Sequence, residues 1–348
     1  MFAKSTWIKL PRNVLVGHGV LDDVGTAVAE LSLAGTPLLV TSPTPNDLAG
    51  DRLRAQFDGA ETVTVGSASF GAVAEIVEAA EAAGATFLVA LGGGKPIDLA
   101  KMAADELGVG FVSVPTAASH DGIVSGRSSI PEGDTRHSVA ADPPLAVIAD
   151  TEIMANAPWD LTTAGCADII SNYTAVKDWR LARRLKNVEY SEYAGALSEM
   201  TAEMLVDSAD SIKQGLEESS WIVSKALVSS GVAMSIAGSS RPASGAEHLF
   251  SHQLDRIAES PGLHGHQVGV GSILTEYLHT GENGQWRAIR DALEAIGAPT
   301  TATELGIDGE TVIEALTTAH TIRDRYTILG DGVNEDAAVE VATFTGVI

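Results

Sequence analysis

The chain has 348 residues, which is long enough for two domains, and its 45% hydrophobic and 20% charged residues are typical of a globular protein. Its 46 acidic side chains against 22 basic ones give a formal net charge of −24, which argues against nucleic acid or anionic lipid as a partner. The excess of Asp and Glu and the scarcity of Lys predict a surface adapted to high salt, because salt screens the self-repulsion of so acidic a protein.

The cysteine content and the N-terminus indicate an intracellular protein. Cys166 is the only cysteine, so an internal disulfide and a thiolate metal cage are both excluded. The first 20 residues contain Lys4, Lys9, Pro11 and Arg12, and no stretch approaches the roughly 20 apolar residues of a membrane span. We therefore expect a soluble cytoplasmic protein with no membrane insertion.

The first 150 residues alternate short β-rich runs with segments rich in Ala and Glu. This pattern is typical of βαβ units that build a parallel sheet. Helical spacing is clear in Gly71–Ala83, where Val73, Ile76 and Ala80 share one face. We therefore predict a Rossmann-like, doubly wound α/β domain in residues 1–155. Its predicted strands are Pro37–Thr41, Glu61–Val65, Thr86–Leu91, Gly110–Val114 and Ala146–Ala149.

After Asp150 the strand signals stop and amphipathic helical segments follow. The change of composition around Asn156 and Pro158 predicts a domain boundary, with an all-α domain in residues 156–348. Ligands favour domain interfaces and the carboxyl ends of parallel strands, so the active site is expected between the two halves. The predicted helices are Trp159–Thr174, Val188–Ile212, Ser219–Ile236, Ser244–Ile257 and His266–His279.

A glycine-rich turn, Gly92–Asp98 with the sequence GGGKPID, directly follows a predicted buried strand, and a helical stretch runs from Leu99. Three glycines allow close approach of a diphosphate, and Pro96 suits the first turn of a helix whose N-terminus attracts phosphate. Alone, the turn is equally explained as structural, because it is not the common G-x-G-x-x-G pattern. A second turn of small residues, Pro115–Ser119, follows the next strand, so two adjacent turns predict a cofactor groove.

A cluster of histidines follows the predicted capping box Ser244–Glu247, which begins a helix. His248 and His252 are four residues apart and therefore lie on one face of that helix. His264 and His266 come just before the next helix. Two histidines and one carboxylate with an open position are a standard set of ligands for catalytic zinc.

Asp168 is the strongest candidate for the carboxylate ligand. It lies in the apolar segment Thr163–Asn172, where an unpaired carboxylate would be costly to bury. We expect Asp168, His248 and a third histidine to bind the metal. His252 is assigned to the substrate, because one helical turn separates it from His248.

Together, these segments resemble the archaeal sn-glycerol-1-phosphate dehydrogenase family, which belongs with glycerol dehydrogenase and 3-dehydroquinate synthase. The similarity runs from about Pro11 to His279, and Pro115–Gly122 is its most specific part. Two positions depart from the usual patterns: His264-Gly-His266 replaces His-Gly-Glu, and Ser125-Gly-Arg127 replaces Ser-Pro-Arg. The segments that carry the similarity are Gly92–Asp98, Ser113–Gly122, Gly165–Asn172 and those around His248 and His264.

The resemblance implies a dehydroquinate synthase-like fold, with NAD(H) or NADP(H) bound by residues 1–155 and Zn²⁺ and substrate bound by residues 156–348. It implies that Zn²⁺ is held by Asp168, His248 and His264, with His266 as a competitor for the third position. It gives Asp121, Asp168 and His252 catalytic and substrate-binding roles. The residues implied to line the cofactor are Gly92, Gly93, Gly94, Lys95, Pro96, Asp98, Thr116, Ala117, Ala118, Ser119 and Ser125.

The implied reaction is the reversible reduction of dihydroxyacetone phosphate to sn-glycerol 1-phosphate, which supplies the glycerophosphate backbone of archaeal membrane lipids. A homo-oligomer from a halophilic archaeon is expected. The substrate phosphate needs positive charge, for which Arg127, Arg241, Lys225 and His252 are unranked candidates.

Three alternatives remain at this stage. One is a glycerol dehydrogenase that acts on the unphosphorylated polyol. Another is a 3-dehydroquinate synthase-like lyase, which is disfavoured because Ser119–Ile123 stands where that enzyme usually has Val-Gly-Gly-Lys. The third is a protein that binds zinc and nucleotide without turnover.

Overall fold

The computed structural model describes residues 7–132 and 135–348. Within these ranges the strands are β1 (Asn13–Gly17), β2 (Pro37–Thr41), β3 (Glu61–Thr64), β4 (Phe87–Gly92), β5 (Gly110–Pro115), β6 (Arg127–Glu132), β7 (Thr135–Ala140) and β8 (Ala146–Asp150). Six of them form one parallel sheet in the order β1-β8-β5-β4-β2-β3. β6 and β7 pair separately as an antiparallel hairpin.

The predicted parallel sheet is confirmed, and its five predicted strands lie where they were expected to within one residue at each end. β2, β4 and β8 are buried along their whole length, which is why each is an almost unbroken apolar run. Two features were missed. β1 is a sheet edge whose Val14 and Leu15 are exposed, and the hairpin strand β6 has the polar sequence RSSIPE, without alternation of apolar residues.

The helices of the described residues are α1 (Val24–Glu30), α2 (Pro43–Pro45), α3 (Asp51–Arg54), α4 (Phe70–Ala83), α5 (Gly94–Leu107), α6 (Thr151–Ala155), α7 (Trp159–Lys186), α8 (Glu192–Asp207), α9 (Glu217–Ala237), α10 (Ala246–Ile257), α11 (His264–Thr280), α12 (Trp286–Ile296), α13 (Ala302–Leu305), α14 (Gly309–Thr318) and α15 (Glu335–Phe344). The described chain beyond residue 150 contains no strand, so the predicted helical second half is confirmed. The domain boundary at residue 155 stays a prediction.

Several helix bounds differ from the predictions. α5 begins at Gly94, not at Leu99, so the glycine turn itself forms the start of the helix. α7 continues past Thr174 to Lys186, because Ala175, Val176 and Trp179 keep its face buried. The helices α12 to α15 were not predicted.

The predicted capping box at the start of α10 is wrong, although the helix begins where it was expected. Gly245 is the N-cap residue, and no side chain caps the helix there. Ser244 therefore precedes the cap, and its Oγ accepts a hydrogen bond of 2.7 Å from Arg323 instead. The carboxylate of Glu247 accepts a hydrogen bond from the N–H of the cap residue Gly245, and not from that of Ser244 as the predicted box requires.

Two hydrophobic clusters hold the sheet between its helices. One packs α1 and α3 against one face, through residues such as Val24, Leu53 and Val89. The other lies on the opposite face, under α4 and α5, and continues without a break into the helical half, where it includes Ile169 and Leu293. Burial of apolar surface therefore fixes the helical half on the sheet.

Among the described residues, α9 is the one helix long and apolar enough to cross a membrane by length and composition. Forty-four per cent of its most apolar window is buried inside the protein, and Val223 and Leu227 belong to the main hydrophobic cluster. A core helix meets the same criterion. The expectation of no membrane insertion stays a prediction.

Two glycines bring α7 into backbone contact with its neighbours. A Cβ atom on Gly165 would lie 1.9 Å from the carbonyl oxygen of Ala118, in the turn after β5. A Cβ atom on Gly265 in α11 would lie 2.0 Å from the carbonyl oxygen of Ala164. Asp168, one turn further along α7, is therefore held close both to the sheet edge and to α11.

We expect Gly165→Ala to lower the free energy of unfolding by about 2 kcal/mol, because the added methyl group must displace a backbone carbonyl. The control is Gly71→Ala in α4, where the new methyl group would meet only Ser69 Oγ at 3.7 Å. It should raise the free energy of unfolding by about 0.5 to 1 kcal/mol. Urea unfolding measures both changes, and equal stabilisation by the two substitutions would contradict the close packing of α7.

Candidate active site

A cleft of about 310 Å³ lies between the carboxyl edge of the parallel sheet and the helical half. This position is where ligands bind in doubly wound sheets. The sheet side contributes residues of the glycine turn and of the loop after β5, and the helical side contributes residues of α7, α10 and α11. The residues that line the cleft include Gly94, Lys95, Asp98, His120, Asp121, Ser125, Arg127, Ser128, Asp168, Ser240, Ser244, His248, His252, His264 and Arg323.

Three potential metal ligands meet in this cleft. Asp168 on α7, His248 on α10 and His264 at the start of α11 each offer one ligand atom, and these atoms all lie within 4.8 Å of one another. Asp168 Oδ1 is 3.6 Å from His248 Nε2, and both residues are buried. One carboxylate and two imidazoles, together with space in the cleft, fit a divalent metal that keeps an open position for substrate.

The two imidazole rings are oriented by residues behind them. His248 Nδ1 donates to Glu247 Oε1 at 3.0 Å, which leaves its Nε2 facing Asp168. Ser251 Oγ lies 2.8 Å from His264 Nδ1. Such second contacts fix the ring orientation and the tautomer of a metal-binding histidine.

The electrostatics of the cleft show an excess of buried negative charge. Burial by itself lowers the pKa of His248, but hydrogen bonds to Asp168 and Glu247 raise it overall, to about 9. Desolvation and the charge of Asp168 raise the pKa of Asp121 to about 7, although Ser230 Oγ donates to Asp121 Oδ2 at 2.7 Å. A proton on these groups and a metal cation between them are alternative ways to compensate the same charge.

The other two histidines occupy different positions. The ring of His252 stacks against that of His264, with a centroid separation of 5.6 Å, and His252 lines the same cleft. His266 points towards α7, where its Nε2 is hydrogen-bonded to Thr163 Oγ1 at 2.8 Å. Burial lowers the pKa of His266. The structure thus brings His264, and not His266, to Asp168 and His248.

The glycine turn provides an open, uncapped helix N-terminus. Gly93 is the N-cap residue of α5 with no side-chain cap, and a Cβ atom there would meet nothing within 4 Å. The N-cap position therefore borders open space, and the first N–H groups of α5 have no side-chain cap, which fits a diphosphate. Gly92 has φ +144°, and a Cβ atom on it would lie 2.6 Å from Pro96, so only glycine suits this position.

The remaining residues implied to contact the cofactor lie along the same edge. The Thr116 N–H donates to the Gly92 carbonyl oxygen at 3.0 Å, which joins the two small-residue turns. Thr116, Ala117 and Ala118 are buried, Ser119 is half-buried, and Ser125 Oγ is a buried hydroxyl without a hydrogen-bond partner among the described residues. Lys95 is exposed, and its Nζ donates to the Gly66 carbonyl oxygen at 2.8 Å.

The side chain of Asp98 is already engaged within the protein. Its Oδ1 accepts from the fully buried Lys101 Nζ at 3.0 Å, and its Oδ2 accepts from the Ser129 N–H at 3.0 Å. Lys101 also donates to the carbonyl oxygens of Gly122 and Arg127. This buried pair therefore fixes the loop that carries Asp121 and Ser125, whatever contact Asp98 makes with a cofactor.

Sequence reasoning missed two titratable residues of the cleft, His120 and Arg323. His120 lies against the start of α5, since a Cβ atom on Gly94 would be 1.7 Å from its Nε2, and its Nδ1 accepts from the Gly122 N–H. The histidine within the segment His120-Asp121-Gly122 could have been singled out. Arg323 lies in the loop after α14, and no local sequence pattern predicts that it belongs to the cleft.

The basic residues that are candidates for binding the substrate phosphate lie in different positions relative to the cleft. Arg127 lines the cleft. Arg241 lies behind it, near Arg323, in an adjoining surface pocket. Lys225 is exposed on α9, where its Nζ lies 3.9 Å from the centre of the Trp221 ring, and it does not line the cleft.

Comparison with known proteins defines the class. Residues 15–158 match the family described as iron-containing alcohol dehydrogenase. A probable glycerol dehydrogenase from Sinorhizobium meliloti 1021 has the same fold, with a TM-score of 0.82 and 20% identity over 99% of this chain and 100% of that one. Glycerol dehydrogenase from Schizosaccharomyces pombe has a TM-score of 0.79 and 17% identity over 99% of this chain and 92% of its own. The chain therefore has the fold of these dehydrogenases.

Relatives at higher identity define the family. Glycerol-1-phosphate dehydrogenase [NAD(P)+] from Halorubrum lacusprofundi is 78% identical, over 100% of this chain and 99% of its own. The protein of the same name from Haloarcula marismortui is 73% identical, over 100% of both chains. The one from Methanosarcina acetivorans is 55% identical, over 98% of this chain and 97% of its own. The chain belongs to the glycerol-1-phosphate dehydrogenase family, as its sequence segments predicted.

His264→Ala and His266→Ala test the geometry of the three-ligand cluster. His264→Ala removes one of the three metal ligands, so the bound metal should fall to about one tenth or less of the wild-type content. Even the loss of a residue that only supports a ligand lowers metal affinity about tenfold to a hundredfold. His266→Ala should retain the wild-type content. Elemental analysis after dialysis measures both, and greater loss in His266→Ala would show that His266 is the ligand.

Proposed function

We propose that this chain is an oxidoreductase that catalyses the reversible NAD(P)-linked reduction of dihydroxyacetone phosphate to sn-glycerol 1-phosphate, with Zn²⁺ held by Asp168, His248 and His264. The observation that carries the proposal is the meeting, in one cleft, of an uncapped helix N-terminus after the glycine turn and an Asp/His/His cluster. Relatives that are 55% to 78% identical over nearly their whole length bear the name of this activity.

Different residues of the cleft would bind the cofactor and the substrate. When bound, the nicotinamide supplies the hydride and the zinc ion polarises the carbonyl group that accepts it. Gly92–Pro96 and Thr116–Ser119 would hold the dinucleotide at the sheet edge, with Asp98 and Ser125 beside it. These assignments rest on the open N-terminus of α5 and on the small residues that follow β5.

Asp121, Asp168 and His252 would orient the substrate. Asp168 Oδ2 accepts from the Asp121 N–H at 3.1 Å, so the loop after β5 and α7 are fixed relative to each other at this point. The Asp121 side chain is held in turn by Ser230. His252 lies next to His264 and completes the wall of the cleft, which limits access of water to the reacting atoms.

We also propose a setting for the enzyme. The net charge of −24 and the high identity to proteins of Halorubrum and Haloarcula support a halophilic archaeal cytoplasm. In such a cell the product would provide the glycerophosphate backbone of membrane lipids. The balance of charge also supports small-molecule substrates rather than nucleic acid or a membrane surface.

A kinetic and stereochemical assay tests the proposed reaction. In molar KCl, the purified protein should oxidise NADH or NADPH continuously with dihydroxyacetone phosphate. The product should not be oxidised by a dehydrogenase specific for sn-glycerol 3-phosphate. Turnover with unphosphorylated dihydroxyacetone alone would instead establish a glycerol dehydrogenase, and consumption of a phosphorylated substrate without net change of the cofactor would establish a lyase.

We further propose a homo-oligomer that covers the edge strand β1. β1 is the outermost strand of the sheet, and Val14, Leu15 and the preceding Ile8 are exposed on it or beside it. Exposed apolar edge strands are normally paired or covered. Light scattering should therefore give at least twice the chain mass of 36.0 kDa, and Leu15→Glu should reduce it. A wild-type mass of one chain would contradict this proposal.

A further inference from the structure

Four arginines form a positive cluster in and beside the cleft, in a chain whose net charge is −24. Arg127 and Arg323 line the cleft, and Arg323 also lines an adjoining surface pocket together with Arg241 and Arg325, so the four side chains lie close together. None of the four forms an ion pair with a carboxylate in the part of the chain that the structure describes. Like charges gathered without a partner are unfavourable unless an anion joins them.

Arg323 is the member of the cluster that lines both the cleft and the adjoining pocket. It lines the cleft together with Asp168 and His248. Its Nη2 donates to Ser244 Oγ at 2.7 Å, while its Nε is buried and has no hydrogen-bond partner among the described residues. Desolvation lowers the pKa of Arg323 to about 10, so the guanidinium keeps its charge at neutral pH.

Arg325 lies beside Arg323 in the adjoining pocket. It donates to the Ser244 carbonyl oxygen and to Ser240 Oγ, which lies 2.9 Å away. Both partners are neutral, and so is the hydroxyl partner of Arg323. Glu247 is the carboxylate that acts on the two arginines, but its oxygens already accept from Thr174, Gly245 and His248.

Arg127 belongs to a different element from Arg323. It is the first residue of β6, and its backbone carbonyl is held by Lys101, so the start of the hairpin is fixed relative to α5. Its side chain is half-buried and lines the cleft, next to the buried hydroxyl of Ser128. Two guanidinium groups that line one cleft from different elements can bind a phosphate dianion together.

We propose that Arg323, together with Arg127, binds the phosphate group of the substrate and so sets the preference for a phosphorylated over an unphosphorylated ketone. This inference rests on the proposed function, because it names the part of the same cleft that takes the charged end of the substrate. Ser240 and Ser244 hold Arg323 and Arg325 in place. Arg241 adds to the positive potential from the adjoining pocket, and Lys225 has no role in it.

The test is the substrate preference of Arg323→Met, measured as kcat/KM with dihydroxyacetone phosphate and with unphosphorylated dihydroxyacetone. Loss of one charge-assisted contact predicts a decrease of about 100-fold with the phosphorylated ketone, mainly through KM, and a change below about threefold with the other. Equal losses with the two substrates, or unchanged kinetics with the phosphorylated one, would overturn the assignment.

Two further variants separate binding from a general structural effect. Arg184→Met removes the same charge from the exposed last turn of α7 and should leave both substrates at wild-type values. Guanidinium ion added to Arg323→Ala should restore part of the activity with dihydroxyacetone phosphate and none with dihydroxyacetone. A loss in Arg184→Met equal to that in Arg323→Met, or rescue with both substrates alike, would refute a specific phosphate contact.

A binding measurement tests, independently of turnover, whether Arg323 binds phosphate. Titration calorimetry with inorganic phosphate, in the same KCl for each protein, should show binding to the wild type and at least about tenfold weaker binding to Arg323→Met. If the wild type fails to reduce dihydroxyacetone phosphate, the proposed function is wrong, and this titration still tests the site. Equal affinity of the two proteins, or no phosphate binding by the wild type, would overturn the inference.

Discussion

The burial of the Asp168 carboxylate is the constraint on which the rest of the site depends. It is 4% exposed on a helix whose neighbouring side chains are apolar, and such a charge needs a partner. The partners come from α10 and α11, which lie against α7 at this point. This packing requires close backbone contact at Gly165 and Gly265. His248 and Glu247 then create a set of charges that one divalent cation would balance.

The same cleft is lined by charges of both signs. Carboxylates dominate the chain as a whole and the metal-binding part of the cleft, where Asp121 and Asp168 lie close together. Arg127 and Arg323 line the same cleft, and neither forms an ion pair with a carboxylate among the described residues. A substrate with a carbonyl group at one end and a phosphate at the other matches this combination. An unphosphorylated polyol would leave the arginines uncompensated, which is why the phosphorylated ketone is the better fit.

The sequence predicted the features that depend on local pattern and missed those that depend on distant chain segments. Buried parallel strands are continuous apolar runs, so the sheet was predicted almost to the residue, and the histidine spacing of α10 placed His248 on the correct helix. The predicted capping box is wrong because Gly245 is the N-cap residue of α10, while Ser244 Oγ accepts from Arg323, a residue far along the chain. The role of Arg323 could not be predicted from the sequence, because it depends on side chains that are distant in sequence and close in the fold.

Anomalous X-ray diffraction on either side of the zinc absorption edge, from crystals of protein purified without added metal, would identify the metal and locate its ligands. We expect one strong peak between Asp168 Oδ and the ring nitrogens of His248 and His264, present above the edge and lost below it. A peak beside His266, or no peak between the three residues, would contradict the ligand set. A peak that persists below the zinc edge and disappears below the iron edge would contradict zinc as the metal.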